Sequence, residues 1–466
     1  MRGICEIVAR ASRPTCSGER ARLPLYLAVF AVLFSMAAPL EAGPNIVLIL
    51  VDDFGRELIG ALGGESYQTP NIDKLAADGM TFDICYATPL CSPTRNMLLS
   101  GKYNFRNYTA WGEYRFESQP TVANALSEAG YDTAVAGKWH LGGWESEPFG
   151  PTRAGFQRYA TFNYPEQLEE DAEARGNFFW NTHLWVDGKR ERLGSKYSPA
   201  FFRDYSVKFI KEHAGSETPF FLYYPMILTH RPFVATDETG ETGEGHRGRV
   251  GDVRNFPNMV SYVDKTLGAI RKALEESGQA ENTLLIFTSD NGTDNVQEAK
   301  TLRSLWNGQS LKGGKYVPSE LGANVPLFAV WPGTVLAGSR YAKPVDLTDV
   351  FPTACAMAGA RLPEGIDGFD LISVLKGTGE SKREVAYTWG VFQYSSKKYK
   401  SPKAYRGDFL HIVRNERWKY QSDNTLYDLE DGWPERGPVA AGEQKEVRAE
   451  MRAALRKIRQ SEPKLW

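Results

Sequence analysis

Two runs of apolar, mostly branched residues stand out in the pattern of hydrophobic and polar positions along the chain, at residues 45 to 51 (NIVLILV) and 284 to 289 (LLIFTS). A continuous apolar run of this length is typical of a strand that is buried on both faces of a largely parallel sheet. Segments with helical spacing, such as 121 to 129 and 258 to 274, alternate with short apolar runs such as 220 to 224. This alternation predicts an α/β fold, in which helices flank a mixed, largely parallel sheet.

The pattern changes towards the C-terminus. Residues 326 to 333 (PLFAVWPG) predict a last core strand and turn, and a helix is expected to begin near Asp346. From about residue 375 the chain mixes aromatic and basic segments, which indicates a smaller C-terminal α+β subdomain. We therefore expect a main domain over residues 43 to 375 and a C-terminal subdomain over residues 376 to 466.

The N-terminal segment is similar to an export signal. Five arginines precede an apolar run over residues 23 to 38, and small residues end it near Ala42 and Gly43. The run is shorter than the roughly 20 residues that a membrane span needs. Residues 1 to 42 are therefore interpreted as a signal peptide, and we expect a periplasmic or extracellular protein without a stable membrane anchor. An uncleaved anchor is the alternative.

The composition is that of a globular protein, with 42% hydrophobic and 24% charged residues among 466. The formal net charge of −2 arises from 55 basic and 57 acidic residues, so no global field would attract nucleic acid or a membrane surface. Attraction for an anionic substrate must be local. Removal of the signal would leave Cys85, Cys91 and Cys355, which do not make a disulfide framework, although Cys85 could pair with Cys355.

Oxygen-bearing side chains follow both apolar runs. Asp52 and Asp53 come directly after the first run, and Asp290 and Asn291 come directly after the second. A single such pair is most often a helix cap or a turn. Ligands of open α/β sheets bind beyond the carboxyl ends of the strands, however, so two such pairs indicate one shared site. Because neither pair is accompanied by histidine or cysteine, the set predicts one hard divalent cation, Ca²⁺ or Mg²⁺, and not zinc.

One cysteine lies in a segment with a distinctive pattern. Residues 91 to 95 read CSPTR, and Ser100 and Gly101 follow. This pattern resembles the maturation signature of the sulfatase family, C-x-P-[S/T]-R with [S/T]-G five residues later. A buried thiol is the usual interpretation of a lone C-x-P, but further motifs of this family occur in the same order. The resemblance implies that a formylglycine-generating enzyme oxidises Cys91 to formylglycine (3-oxoalanine), which also belongs to the metal site.

Two further segments resemble sulfatase motifs. Residues 137 to 142 read GKWHLG and match the family motif residue for residue. The match implies that Lys138 contacts the sulfate and that His140 orients or deprotonates the formylglycine hydrate. Residues 229 to 233 read THRPF. The histidine of an H-x-P site in this family donates a proton to the leaving oxygen, which makes His230 the preferred general acid.

The LKGGK segment at residues 311 to 315 resembles the family's L-[K/R]-G-G-K, whose last lysine reaches the sulfate, here Lys315. The family continues G-T-x-Y-E-G-G-x-R-V-P, and this chain departs from that pattern. Tyr316 and Leu321 stand where the family has glycines, and Asn324 stands where it has an arginine. The departures leave the choice between Lys315 and the lysine three positions earlier open, and they are consistent with a specialised substrate pocket.

The resemblance covers residues 45 to 375 and implies an alkaline-phosphatase-like fold with sulfatase activity. In the implied mechanism, formylglycine at position 91 hydrates, and one hydroxyl attacks sulfur after activation by the metal and by Arg95 or His140. His230 protonates the departing alcohol, and the second hydroxyl then expels sulfate. The metal and the two lysines neutralise the growing negative charge.

The substrate is predicted only by class. Export combined with sulfatase chemistry makes sulfated polysaccharides or their oligosaccharides the expected substrates. Loop tryptophans could stack on sugar rings, although most are expected to serve packing: Trp111, Trp144, Trp180, Trp185 and Trp306. Of the remaining histidines, His183 is the preferred candidate for a substrate contact.

Two other functions are alternatives. One is a phosphate or phosphonate monoester hydrolase with the same fold, which the release of sulfate or phosphate from matched esters would distinguish. The other is a catalytically silent glycan-binding relative. Such a protein would be expected to have lost Cys91, the acid pairs or His230, and the chain retains all of them.

Overall fold

The apolar run predicted for residues 45 to 51 forms a central strand of a large sheet in the computed structural model of the chain. The structure describes residues 43–107, 114, 116, 119–141, 150–162, 178–239, 251–390, 410–430 and 432–460. The predicted signal peptide, Trp111 and Trp144 lie outside these ranges.

The strands fall into one large sheet and three small ones. In chain order they are β1 (Asn45–Val51), β2 (Met80–Phe82), β3 (Cys85–Tyr86), β4 (Asp132–Lys138), β5 (Arg158–Phe162), β6 (His183–Val186), β7 (Lys189–Arg192), β8 (Phe220–Pro225), β9 (Thr283–Ser289), β10 (Ser304–Trp306), β11 (Gln309–Leu311), β12 (Leu327–Val330), β13 (Ser339–Tyr341), β14 (Val345–Asp346), β15 (Ala386–Gly390), β16 (Leu410–Arg414), β17 (Trp418–Gln421) and β18 (Leu426–Asp428).

The α-helices of the described residues lie between these strands, except the last helix, which follows β18. In chain order they are α1 (Pro70–Asp78), α2 (Cys91–Ser100), α3 (Asn104–Asn107), α4 (Val122–Glu128), α5 (Gly150–Arg153), α6 (Ser198–Glu212), α7 (Phe256–Glu276), α8 (Glu320–Ala323), α9 (Val350–Ala358), α10 (Ile372–Leu375) and α11 (Lys445–Arg459).

The large sheet has the strand order β13-β2-β12-β9-β1-β8-β4-β5-β6-β7. Its centre, from β9 through β1, β8 and β4 to β5, is parallel throughout. Antiparallel pairs flank this centre, with β12 between β9 and β2 on one side and β6 between β5 and β7 on the other. The predicted α/β fold with a mixed, largely parallel sheet is therefore confirmed.

Both faces of the sheet are buried at β1, as the unbroken apolar run of this strand predicts. Alternate side chains of the strand enter different apolar clusters, with Ile46, Leu48 and Leu50 in one and Val47, Ile49 and Val51 in the other. Residues of α2, α4 and α9 belong to the first cluster, and residues of α6 and α7 to the second. Since burial of one such side chain stabilises a fold by about 1.5–3 kcal/mol, the two clusters fix β1 and the residues that follow it.

Element boundaries follow local chemistry. The helix predicted over 258 to 274 extends over Phe256–Glu276. Its first turn contains a proline, which is tolerated there because the N–H groups of a first turn have no acceptor within the helix. Near the predicted helix start at Asp346, the carboxylate of Asp346 accepts from the Thr348 N–H, and Asp349 completes a capping box before α9 begins.

The C-terminal strands β15 to β18 form an antiparallel sheet, on which the predicted α+β subdomain is built together with α11. Cys85 and Cys355 are buried free thiols, so the disulfide considered from the sequence is not formed. Among the described helices, none combines the length and the apolar character that a membrane crossing requires.

Candidate active site

The candidate residues converge where four neighbouring parallel strands end. β9, β1, β8 and β4 lie side by side, and their carboxyl ends share one edge of the sheet. Asp290 follows β9, Asp52 follows β1, His230 lies in the segment after β8, and Lys138 ends β4. The structure thus brings together residues that are up to 238 positions apart in sequence, at the edge where ligands of such sheets bind.

Cys91 is the first residue of α2, and the surrounding residues fix its position. Leu90 is extended, with φ −157° and ψ 139°, so the chain turns into the helix at Cys91. Pro93 lies in the first turn, where the backbone N–H has no partner within the helix. The Thr94 hydroxyl accepts from the Thr88 N–H and donates to the Thr88 carbonyl, both at 3.0 Å. These contacts give the C-x-P-T pattern a local structural reason.

The Ser-Gly pair of the signature ends the same helix. Gly101 has φ +63°, and its N–H donates to the Met97 carbonyl at 2.9 Å, which is a left-handed C-cap that glycine adopts most readily. Ser100 donates to the Asn96 carbonyl at 2.7 Å. Every residue of α2 is buried, so the helix cannot shift without repacking the core.

The GKWHLG segment turns sharply at the end of β4. Gly137 has φ +131°, and a Cβ there would lie 2.0 Å from the Pro225 carbonyl oxygen, so no larger residue fits. His140 has φ +50°, a conformation that costs roughly 1–2 kcal/mol for a residue with a β-carbon. Such strain is common at functional sites. Here it accompanies an approach of His140 Nδ1 to within 3.6 Å of Cys91 Sγ.

Asp52 lies between two buried cations. Its Oδ2 accepts from Lys138 Nζ at 2.5 Å and lies 3.4 Å from Arg95 Nη2. Arg95 also donates to Asp290 Oδ2 through Nη2 at 2.7 Å and Nε at 3.1 Å, and to the Lys138 carbonyl through Nη1 at 3.0 Å. All four side chains are fully buried. Arg95 therefore joins the ends of β1, β9 and β4.

Asp53 binds a third cation. Its Oδ2 accepts from Lys315 Nζ at 2.7 Å and lies 4.0 Å from His230 Nε2. Its Oδ1 accepts from Asn291 Nδ2 at 2.7 Å. Asp53 has φ +59°, so the turn after β1 is itself in the left-handed region. One carboxylate thereby places Lys315 and His230 on the same side of the site.

Burial and charge act against each other in this cluster. Burial raises the pKa of Asp52, the carboxylate of Asp290 raises it further, and the neighbouring cations oppose both. Burial also raises the pKa of Asp53, against the ammonium of Lys315. Burial acts to lower the pKa of Lys315, but the carboxylate of Asp53 outweighs it and the pKa lies well above its usual value. The lysine therefore stays charged.

The two histidines are held neutral. Burial and then the charge of Lys138 lower the pKa of His140 well below its usual value, and burial with the charge of Lys315 does the same to His230. His230 Nδ1 lies 2.6 Å from the carbonyl oxygen of Arg231. A carbonyl only accepts, so Nδ1 carries a hydrogen and Nε2 is the nitrogen that takes up or releases a proton.

The donor set fits a hard divalent cation. Asp52 Oδ1 and Asn291 Oδ1 are buried acceptors to which no described residue donates a hydrogen bond. One ligand atom from each of Asp52, Cys91 and Asp290 lies within 4.8 Å of the others. Carboxylate and amide oxygens are the ligands that Ca²⁺ and Mg²⁺ prefer. The residues predicted from the sequence as metal ligands are therefore assembled, with unused oxygen acceptors, in one place.

The formal charges of the site match a divalent cation that binds together with an anion. The site holds three carboxylates and three cations, which are Asp52, Asp53, Asp290, Lys138, Lys315 and Arg95. Their charges cancel when all six are ionised. A divalent cation would leave the site with a charge of about +2, which a bound anion of one or two charges would balance.

The LKGGK segment enters the site through its last lysine. Lys315 is 1% exposed, whereas Lys312 is exposed to solvent. A Cβ at Gly314 would lie 2.2 Å from the backbone of Leu321, so glycine is required there. The Lys315 N–H donates to the Thr293 carbonyl at 3.0 Å, which holds the segment beside the end of β9. Geometry thus places Lys315, and not Lys312, in the cluster.

Several polar residues at the site escaped the sequence analysis. Arg231 forms an ion pair with Asp294 and a hydrogen bond with Gln297, beside the predicted general acid. Thr293 donates to Glu57 at 2.5 Å and links the segments that follow β1 and β9, while burial raises the pKa of Glu57 to about 6. The spacing D-N-G-T-D, with a second acid four residues after the first, was the signal that could have identified Asp294.

Two of the aromatic candidates, Trp180 and Trp306, have packing contacts. Trp180 is buried and donates to the Ala235 carbonyl at 3.0 Å. Trp306 lies edge-to-face with Trp433, with ring centroids 4.9 Å apart. His183 is half-buried at the start of β6. These contacts are what the packing interpretation of the tryptophans predicts, and a substrate contact by His183 stays a prediction.

The sequence of the chain is similar to those of known sulfatases. The sulfatase family model matches residues 44–360 of the chain. N-acetylgalactosamine-6-sulfatase of Rattus norvegicus is 32% identical over 391 residues, which cover 77% of this chain and 71% of that protein. Arylsulfatase A of Homo sapiens is 32% identical over 408 residues, which cover 79% of this chain and 77% of that protein.

Solved structures agree in fold. A crystal structure of Ps i-CgsB in complex with k-i-k-neocarrahexaose has a TM-score of 0.71 and 26% identity, and the alignment covers 89% of this chain and 92% of that one. A phosphonate monoester hydrolase of Agrobacterium radiobacter has a TM-score of 0.63 and 21% identity, over 90% of this chain and 96% of that one. The second likeness is one of fold alone.

Proposed function

We propose, since this chain belongs to the sulfatase family and is a sulfuric ester hydrolase, that it removes sulfate from sulfated polysaccharides or oligosaccharides through a formylglycine made from Cys91. The observation that carries the proposal is the position of Cys91. Its Sγ lies at the N-terminus of a buried helix, 3.6 Å from a neutral histidine and within 4.8 Å of two carboxylates that suit a divalent cation.

The maturation signature supports the chemistry at this position. The Cys91 Sγ marks where the oxygen of a formylglycine would lie, because maturation turns Cβ into an aldehyde carbon and puts oxygen in the place of sulfur on it. Hydrated formylglycine would supply one hydroxyl to attack sulfur and a second whose deprotonation expels sulfate and restores the aldehyde, so that no water has to attack the covalent intermediate. One water then hydrates the aldehyde again for the next turnover. Burial raises the pKa of the Cys91 thiol, so an unoxidised Cys91 would be a weak nucleophile.

His140 and Arg95 receive different roles in this proposal. The ring of His140 is the polar group in hydrogen-bonding contact with Cys91, and its lowered pKa leaves it neutral and able to accept a proton. Arg95 contacts the carboxylates of Asp52 and Asp290 and acts as a positioning residue. Of the two activating residues that the sequence left open, His140 is therefore preferred.

His230 is the proposed acid for the leaving alcohol. Its Nδ1 hydrogen is held by a backbone carbonyl, so the ring presents Nε2 towards Asp53 and Lys315. The charge of Lys315 disfavours a protonated His230 ring. An anionic ester bound to Lys315 would offset that charge and so favour protonation of the ring. Substrate binding would thereby favour the protonated form of His230, which can act as the acid.

Lys138 and Lys315 are the proposed sulfate ligands. Both are fully buried ammonium groups, and each pairs with a different carboxylate. Lys138 Nζ lies 2.5 Å from Asp52 Oδ2, and Lys315 Nζ lies 2.7 Å from Asp53 Oδ2. Donors fixed in advance in a water-excluded site stabilise developing negative charge more strongly than the same groups in water. A divalent cation, preferably Ca²⁺, held by the oxygens of Asp52, Asp53, Asp290 and Asn291 together with residue 91, would add Lewis-acid stabilisation.

Export and the substrate class complete the proposal. The N-terminal pattern of residues 1 to 42 supports a signal peptide and a periplasmic or extracellular location, which N-terminal sequencing of the mature protein would test. N-acetylgalactosamine-6-sulfatase is named for a sulfated sugar, and Ps i-CgsB was crystallised with a neocarrahexaose. These names support a sulfated glycan as the substrate, to be tested with carrageenan, ulvan, fucoidan and glycosaminoglycan fragments.

The decisive experiment is a mass spectrum of the tryptic peptide Leu75 to Arg95 from protein co-expressed with a formylglycine-generating enzyme. We expect an aldehyde at position 91. Cys91→Ser should keep the fold and abolish turnover, whereas Cys355→Ala, which changes another buried free thiol, should keep most of the activity. An intact thiol despite a working maturase, or wild-type turnover by Cys91→Ser, would reject the formylglycine mechanism.

The two alternatives are separated by product analysis. Matched 4-nitrophenyl sulfate, phosphate and phosphonate esters should release product fastest from the sulfate. Faster hydrolysis of the phosphonate would support the phosphonate hydrolase alternative, with whose structural relative this chain shares the fold. Binding of sulfated glycans without turnover of any ester, by protein that carries the aldehyde, would support the glycan-binding alternative.

A further inference from the structure

Tyr316 occupies a position whose backbone is shaped for glycine. The sulfatase pattern has glycine after the lysine of the LKGGK segment, and this chain has tyrosine. Tyr316 has φ +68°, in the left-handed region that glycine enters freely and that a β-carbon disfavours. The chain therefore keeps the glycine conformation while it carries a large aromatic side chain. Strain of this kind at the edge of an active site indicates that the side chain has a function.

Two contacts fix Tyr316 beside the reaction centre. Its N–H donates to the carbonyl of Pro89 at 2.8 Å, two residues before Cys91. Its ring lies over the ammonium of Lys315, with Nζ 5.3 Å from the ring centroid. The residue is half-buried, whereas Lys315 is almost completely buried. The ring therefore contacts the proposed sulfate-binding lysine, and the tyrosine itself is partly accessible to solvent.

The same geometry places the ring on the leaving-group side of the site. Lys315 Nζ and His230 Nε2 lie 2.7 Å and 4.0 Å from one atom, Asp53 Oδ2. A proton donor must face the oxygen that it protonates, so the alcohol that carries the sulfate has to lie next to His230. The ring of Tyr316, which covers Lys315, is therefore adjacent to the sugar and not only to the sulfate.

We infer that Tyr316 is a specificity-determining residue that forms one wall of the subsite for the sugar ring bearing the sulfate ester, against which the face of its aromatic ring packs. The inference rests on the proposed function. It differs from a structural role, in which the ring would serve only to shield Lys315 from water. A shielding role would affect every anion that Lys315 binds, whereas a sugar wall affects only ligands that carry the sugar.

The test uses matured full-length enzyme and the variants Tyr316→Gly and Tyr316→Phe, with Val317→Ala as a control at an exposed position of the same segment. Three quantities are measured: kcat/KM for the best sulfated oligosaccharide of the panel, kcat/KM for 4-nitrophenyl sulfate, and Ki for inorganic sulfate, which fills the anion site without a sugar. Aldehyde content at position 91 is measured by mass spectrometry for each protein.

For Tyr316→Gly we expect kcat/KM for the sulfated oligosaccharide to fall at least about tenfold, mainly through KM, with Ki for sulfate within about twofold of wild type. Tyr316→Phe should keep most of the oligosaccharide activity because the ring face is retained, and Val317→Ala should resemble wild type.

Three results would overturn the inference. The first is an unchanged oligosaccharide kcat/KM in Tyr316→Gly. The second is a rise in the Ki for inorganic sulfate in this variant that is as large as the fall in its oligosaccharide kcat/KM. The third is a wild-type enzyme that cleaves 4-nitrophenyl sulfate but no sulfated saccharide. All three leave sulfatase activity intact. Failure of aldehyde-bearing wild type on every sulfate ester would instead reject the proposed function.

Discussion

Replacing Lys315 by methionine tests whether a buried cation, supplied by a loop and not by the sheet, binds the sulfuryl oxygens. Methionine keeps the length of the side chain and removes its charge. Lys315 is 1% exposed, and its Nζ lies 2.7 Å from Asp53 Oδ2. Lys312 belongs to the same segment, is exposed, and provides the matched control Lys312→Met.

The expected magnitude follows from burial. Removing one fixed donor from the site of developing negative charge costs about 2.7–4 kcal/mol in the transition state, which corresponds to roughly 10²–10³-fold in rate. Water cannot replace a group that is excluded from solvent. We therefore expect kcat/KM of Lys315→Met for 4-nitrophenyl sulfate to fall by about 10²–10³-fold. Lys312→Met should stay within about twofold, because solvent and salt screen an exposed charge.

The same change has a separate effect on stability. Lys315→Met leaves Asp53 buried without its cation, and removing one partner of a buried ion pair costs about 3–5 kcal/mol. The double variant Lys315→Met/Asp53→Asn removes both charges, so its melting temperature should recover towards wild type. Its activity should not recover, because neither the proposed sulfate ligand nor the proposed metal ligand is restored.

The assay combines steady-state kinetics, the Ki for inorganic sulfate, melting temperatures and the aldehyde content at position 91. Comparison at equal aldehyde content excludes a maturation defect. The role of Lys315 would be refuted if Lys315→Met kept more than a tenth of the wild-type kcat/KM, or if Lys312→Met lost as much as Lys315→Met.

Three further predictions concern the general acid, the metal and a histidine outside the site. His230→Gln should lower kcat by about 10²–10⁴-fold on sulfated sugars but much less on 4-nitrophenyl sulfate, whose leaving group needs no proton; equal losses in rate would contradict the acid role. Removal of divalent cations with a chelator should lower the melting temperature, with Ca²⁺ restoring it at lower concentration than Mg²⁺, and the reverse order would identify a magnesium site. Burial and then the charge of Arg459 lower the pKa of His411 to about 4 from 6.5, so the unfolded chain binds a proton first as the pH falls. His411 should therefore cost up to about 3 kcal/mol of stability between pH 6.5 and 4, and His411→Gln should show a smaller urea-midpoint shift over that range than wild type.

The sequence was most informative where strand ends carry the chemistry. The apolar runs before Asp52 and Asp290 are long and unbroken, and such runs belong to buried parallel strands whose ends meet at one edge. The fold class and the convergence of these acids follow from that pattern. The positions of Cys91, Lys138 and His230 come from motif resemblance, which the pattern of apolar residues alone does not supply.

Contacts between distant segments could not be predicted from the sequence. Nothing in the local pattern indicates that Arg95 binds Asp290 and the Lys138 carbonyl, because these contacts join segments whose distance is set by the whole sheet. The backbone geometry of the site could not be predicted from the sequence either. The left-handed conformations of His140 and Tyr316 run against residue preference and are imposed by the surrounding structure.

Asn324, which stands where the family pattern has an arginine, contacts a buried carboxylate that also binds a cation from a distant segment. Glu320 is a buried carboxylate in α8, and it accepts hydrogen bonds from Asn324 Nδ2 at 3.0 Å and Arg414 Nε at 3.3 Å. Asn324 is neutral, so a cation for Glu320 comes from Arg414 in β16. Burial acts to raise the pKa of Glu320, but Arg414 and then Lys419, both in the C-terminal sheet, outweigh it and lower the pKa.

The C-terminal sheet therefore supports the segment that carries Lys315. The Glu320 N–H donates to Glu435 at 2.8 Å, and the Lys419 ammonium donates to the same carboxylate group at 2.6 Å. A chain that ends at residue 375 would bury Glu320 without either cation, and an unpaired buried charge costs several kcal/mol. The stretch from Lys315 to Glu320 would lose its anchor at one end. The predicted boundary between residues 375 and 376 thus separates two sheets but not two independent functions, because the C-terminal sheet helps to hold the lysine that is proposed to bind sulfate.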